Sequence, residues 1–65
     1  MKYGKYEIAL LKKRGSYVAK YLNNETGDGD ELSLPSRELL LQALQSNLEL
    51  NGVELSDLRE DIQAL

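Results

Sequence analysis

At 65 residues, with 42% hydrophobic side chains and no Cys, His, Trp or Phe, the chain admits one small domain and excludes disulfide staples and Cys/His zinc sites. Fourteen patterned leucines exclude disorder, and no apolar run, Leu39 to Leu41 included, approaches the roughly 20 residues that cross a bilayer. The net charge of -3 is divided by position: the first 24 residues carry +5, from Lys2, Lys5, Lys12, Lys13, Arg14 and Lys20 against Glu7, and the rest carries -8.

Met1-Lys2-Tyr3-Gly4 leads straight into alternating polar and apolar residues. It lacks the apolar stretch and small-residue cleavage site of a secretory signal, so a cytoplasmic location is expected. From Lys5 to Leu22 the chain reads as an antiparallel β-hairpin around Lys13-Arg14-Gly15, with Gly15 suited to the left-handed position of a three-residue loop. That loop sets Leu10 against Val18, Tyr6 against Leu22 and Ile8 against Lys20. Tyr6, Ile8, Leu10, Val18 and Leu22 then form the buried face, while Glu7, Ala9, Leu11, Tyr17, Ala19 and Tyr21 look outward. A two-residue loop would instead place Tyr17, Ala19 and Tyr21 with Tyr6, Ile8 and Leu10, because a one-residue slip exchanges the faces. The rival reading is helical: Glu7 to Arg14 is a run of good helix formers stopped by Gly15, and Ser16 could cap a second helix to give a helix-turn-helix outline. Two Tyr and one Val within Tyr17 to Leu22 favour strands.

Asn23 to Asp30 has no large apolar residue and two glycines, and reads as a loop. Glu31-Leu32-Ser33-Leu34 alternates and can add a short third strand before Pro35. With Pro35 in the first turn, Ser36 to Leu50 forms a helix whose stripe is Leu40, Leu41, Leu44 and Leu48, widened by Leu39 and Ala43. Asn51-Gly52 is expected to close it, with Val53 meeting Leu48 in a Schellman cap. The same residues spell a two-residue hairpin, but that would set Glu49 against Glu54. Ser56 is the expected N-cap of a last helix carrying Leu55, Leu58, Ile62 and Leu65. The expected fold is α+β, a single domain over residues 1–65: an N-terminal antiparallel β-hairpin with a possible third strand, packed on two C-terminal helices.

Chemistry is excluded more readily than assigned. General acid-base work near neutral pH falls mostly to His, and paired carboxylates need an apolar pocket that 65 residues scarcely enclose, so the chain is not expected to be an enzyme or to hold a cofactor. Asp28-Gly29-Asp30-Glu31 invites a calcium reading. A loop begun at Asn24 has Pro35 at its twelfth position, where a bidentate Glu is required, so the segment reads as a solvated turn. The remaining candidate is an interaction surface made of Leu11, Lys13, Arg14, Tyr17, Lys20 and Tyr21, an aromatic patch with a basic rim suited to another protein or to a second copy in a homodimer. Acidic helices could separately attract a basic groove. The expected role is regulatory or inhibitory, by analogy of type with small acidic phage and mobile-element products. The alternative is a nucleic-acid-binding regulator in which the basic hairpin meets phosphates while Tyr17 and Tyr21 stack on bases. No membrane partner is expected.

Overall fold

In the computed structural model, which describes residues 2–65, alternation in the first half does produce strands. β1 (Lys2–Tyr3), β2 (Tyr6–Lys13), β3 (Ser16–Asn23) and β4 (Gly29–Leu34) form an antiparallel sheet in the order β1-β2-β3-β4. Helices α1 (Arg37–Asn47) and α2 (Gly52–Gln63) follow. The architecture is α+β, as expected, with a sheet larger than a hairpin plus one short strand. The continuous β2–β3 ladder, from Tyr6↔Asn23 to Lys13↔Ser16, leaves no place for the helical reading of residues 5–22.

The hairpin register differs from the preferred expectation. Lys13 pairs with Ser16, Leu10 with Ala19 and Ile8 with Tyr21, so the turn is the two-residue Arg14-Gly15, with Gly15 at φ 79°. Gly15 alone of the two turn residues has positive φ, the pattern of a type II turn. The three-residue register would have put Lys20 opposite Ile8 on the covered face. Burying an ammonium without a partner costs several kcal/mol at least, whereas the realised slip puts small Ala19, fully buried, in the middle of that face. Val18 and Leu22 consequently point away from the helices, and Tyr17 and Tyr21 point towards them.

Two further strand features lay outside the expectation. β1 adds a two-residue turn at Gly4-Lys5, with Tyr3 paired to Tyr6 and Lys2 to Glu7. β4 begins at Gly29 rather than at Glu31, which shortens the loop. Within it, Asn23 Oδ1 accepts from the N–H groups of Glu25 (2.9 Å) and Thr26 (3.3 Å), and Asp28 N–H donates to Thr26 Oγ1 at 3.2 Å. These are the local side-chain bonds that make Asn and Thr turn residues.

The helix boundaries also move. Pro35 precedes α1 instead of entering its first turn, and Ser36 is the N-cap, its Oγ accepting from Leu39 N–H at 3.1 Å. α1 ends at Asn47 with an extended Leu48 as its C-cap, so the Schellman cap at Gly52 does not form. Val53, expected against Leu48, is 72% exposed. Asn51 opens α2: its side chain accepts from Glu54 N–H at 2.8 Å while the Glu54 carboxylate accepts from Asn51 N–H at 3.0 Å. This reciprocal box satisfies two donors that Ser56 would have left to water, and it starts the helix a turn earlier.

The core lies between the helices and one sheet face. Ile8, Ala19, Leu40, Leu44, Leu58 and Ile62 are almost wholly buried and are joined by Tyr3, Tyr6 and Leu48. Leu10, Tyr17, Tyr21, Leu32 and Leu34 of the sheet pack around them, half-buried. The helical stripes are those the leucine spacing indicated, except that Leu39 is exposed.

Candidate interaction surface

Strand alternation sends odd residues of β2 and β4 and even residues of β3 to the face opposite the helices. Register arranges them in rows: Lys2, Glu7, Leu22 and Gly29; then Ala9, Lys20 and Glu31; then Leu11, Val18 and Ser33; then Lys13 and Ser16 at the turn. No described element covers this face. Leu11 and Leu22 are 40% and 42% exposed, and Val18 is buried although it lies outside the helix-side cluster. Its cover therefore comes from neighbouring side chains on its own face. A shallow depression of about 230 Å³ runs between Glu7, Ala9, Lys20 and Leu22.

Charge on the face is partly balanced by pairing. Lys2 lies opposite Glu7 and Lys20 opposite Glu31, cross-strand arrangements that are mildly stabilising. Lys13 faces Ser16, and with Arg14 in the adjoining turn it makes that end of the sheet basic. The result is a face on which Leu11 and Val18 share one row and Leu22 lies two rows away, with Ala9, Lys20 and Glu31 between them.

The six expected site residues are thus divided. Leu11, Lys13 and Lys20 share the open face, and Arg14 stands at its end. Tyr17 and Tyr21 are corrected to the helix side. The Arg37 guanidinium lies 4.8 Å from the centre of the Tyr17 ring and Lys12 Nζ lies 5.8 Å from it, so this ring holds cations of its own chain. Arg37 Nη2 also donates to the main-chain oxygen of Leu65. Tyr21 packs on the core, where burial, then the charge of Asp30, raises its phenol above the ordinary value. Leu22, assigned beforehand to the buried side, is exposed on the open face, and Val18 lies on that same face although it is buried as expected. The signal for them was the two-residue loop, the one register that keeps Lys20 out of the core.

Other polar clusters tie the fold together. Tyr3 donates to Asp61 Oδ2, joining the first strand to the last helix. Burial, and then that bond and the Asp61 charge, push the phenol well above its usual value, so at neutral pH it is a donor and not a base. Lys5 Nζ and Glu49 Oε2 form an ion pair at 2.9 Å. The mutual bond raises the lysine and lowers the carboxylate. Tyr6 Oη accepts from Glu49 N–H at 3.0 Å.

Among the described residues no group of three or more Asp or Glu is placed to hold a metal ion, and no helix is long and apolar enough to cross a membrane. A groove of about 490 Å³ between the helices is lined by Arg37, Glu38, Gln42, Gln45, Arg59 and Gln63 with Leu41 and Ile62. Its ionisable groups carry both signs. Comparison with protein-family models, curated proteins and solved structures finds no match to this chain.

Proposed function

We propose that this chain is a cytoplasmic, non-enzymatic interaction domain that binds another protein through the open face of its sheet and acts on that partner by occupancy, in a regulatory or inhibitory role. The observation that carries the proposal is the exposure of Leu11 and Leu22 on a sheet face that no described element covers, beside Lys13, Lys20, Glu7 and Glu31. An apolar centre with a charged border is the composition of a protein-binding patch, and the border supplies orientation more than affinity. Two helices satisfy the other face, so the fold does not need this one for its own core.

The test replaces Lys20 and Leu22 by Thr, which suits strands and leaves the helix-side core untouched. The immobilised wild-type chain is expected to retain a discrete protein from nuclease-treated cytosolic extract, and the Lys20→Thr, Leu22→Thr variant to lose it while keeping its circular dichroism. Equal capture by the variant would remove the open face from the site. The nucleic-acid alternative keeps the basic end, Lys13 and Arg14, but Tyr17 and Tyr21 face the helices and offer bases no platform. Retention that nuclease abolishes and salt steeply weakens would favour it.

A further inference from the structure

We propose that the exposed edge of β2 pairs antiparallel with the same edge of a second copy, making one continuous sheet across a two-fold axis at Leu11. β1 reaches only as far as Glu7, so from Ala9 to Lys13 no described strand lies outside β2. Lys13 and Ser16 close a two-residue turn and are therefore a hydrogen-bonded pair. Antiparallel bonds alternate, so Glu7, Ala9 and Leu11 also bond to β3, and Leu10 and Lys12 aim N–H and C=O outward. An edge of this kind is a template for another strand.

The opposite edge of the sheet is closed to such pairing. The same alternation turns Glu31 and Ser33 of β4 outward, and the Glu31 N–H is taken by Asp30 Oδ1 at 2.7 Å. Asp28, Asp30 and Glu31 make that edge acidic, so two copies would repel there. Among the described residues no side chain caps the outward N–H of Leu10 or of Lys12.

A second copy is the occupant that the charges fit. The Ile8–Leu10 end of the edge borders a groove of about 400 Å³ whose far wall is Asp61, Ala64 and Leu65 of the α2 end; the other end carries Lys12, Lys13 and Arg14. Antiparallel alignment brings the basic end of each copy towards Asp61 and Glu7 of the other. With Leu10 bonded to Lys12 of the second copy, Leu11 meets its own counterpart as the closely spaced, non-bonded pair on the open face. Lys12 then lies on the helix side beside Leu10, towards Asp61 of the other copy. Lys13 lies on the open side beside Ala9, in line with Glu7. The neighbouring registers are worse: one sets Lys12 against Lys12, and the other drives the strand into the end of β1. The arrangement is isologous, as a closed dimer requires, and it covers Leu11, which the single chain leaves 40% exposed.

Sedimentation equilibrium from low micromolar to submillimolar concentration, with amide exchange followed by NMR on the unmodified chain, tests the proposal. The expected species at high concentration has twice the 7.3 kDa chain mass. Its Leu10 and Lys12 amides are slowed as concentration rises, while that of Ser33 is unaffected. Lys12→Pro removes an outward donor from an edge position, where proline is tolerated, together with the ammonium beside the Tyr17 ring, and is expected to leave a folded species of single-chain mass. A single-chain mass throughout for the wild type, a dimer whose Leu10 and Lys12 amides exchange freely, or a folded Lys12→Pro variant that pairs as tightly as wild type would each overturn it. Lys20 and Leu22 lie off this edge, so loss of partner capture on their replacement and loss of pairing at Lys12 are separate results.

Discussion

Tyr3 links the start of the chain to its last helix through the bond to Asp61, and its chemistry makes stability depend on alkaline pH. The folded state holds the phenol proton more tightly than the unfolded chain, because burial and the neighbouring carboxylates Asp61 and Asp57 all oppose ionisation. A raised value contributes stability that is complete below the unfolded value of 10.0 and is lost as pH rises through the folded value. Urea unfolding at a series of alkaline pH values is therefore expected to show a fall in stability that begins near pH 10. Tyr3→Phe is expected to lose about 1 kcal/mol at neutral pH, the net worth of a hydrogen bond, and to show a shallower alkaline fall than wild type. Identical alkaline slopes would remove Tyr3 as the source. Tyr17 makes a second point at this scale. Its ring is held between the sheet and Arg37, so replacing it removes packing and a cation contact together, and Tyr17→Ala is expected to lower the melting temperature rather than to probe a surface.

Among elements, the N-terminus of α2 and the β1–β2 turn form a joint. Gly4 has φ 59° and packs against the Glu54 carboxylate, which a Cβ at Gly4 would strike. That carboxylate is also half of the Asn51–Glu54 capping box. Gly15 has a similar φ of 79° but open space around it. Both alanine substitutions strain the backbone by roughly 1–2 kcal/mol, but only Gly4→Ala also displaces the capping group. It is expected to be the more destabilising by about 1 kcal/mol, the typical worth of a cap, with Asn51→Ala costing a similar amount on its own. Chemical denaturation of the three variants checks the order. Equal losses at Gly4 and Gly15 would mean that the turn and the helix start are not coupled.

For the whole molecule the governing fact is that one small core supports everything. A domain of this size holds only about 3–5 kcal/mol, while removing a fully buried leucine costs roughly 2–5 kcal/mol. Leu44→Ala, at the fully buried centre of α1, is therefore expected to leave a substantial unfolded fraction at room temperature, as far-UV dichroism would show. Leu22→Thr, on the open face, is expected to change stability by less than about 0.5 kcal/mol, in line with surface substitutions generally. A large loss there would mean that the open face contributes to folding and is not spare surface. The charge division adds little to these sums. The basic first segment and the acidic second meet in the Lys5–Glu49 ion pair, and pairs exposed to solvent and salt are worth little.

How much of this was legible in the chain varies with the range of the forces involved. The helices could be placed because Leu40, Leu44, Leu48, Leu58 and Ile62 recur at a spacing that is meaningful within a few turns, and the strands because alternation is equally local. The capping box was also written in the order Asn51, Gly52, Val53, Glu54, but the Asn-Gly pair equally suits a helix stop, and only packing chose between them. The open face could not be assigned in the same way. Slipping β2 against β3 by one residue changes little in the local preferences of either strand, yet it exchanges Tyr17, Ala19 and Tyr21 for Val18, Lys20 and Leu22. Of the expected site residues Leu11 kept its side of the sheet, Lys13 and Arg14 stayed at the turn, and Lys20 and both tyrosines changed side for that reason. Residue types and their spacing settled which elements form. Which sheet face met the leucines was decided when the helices closed over it, because burial penalises a lysine only once there is a core for it to be buried in.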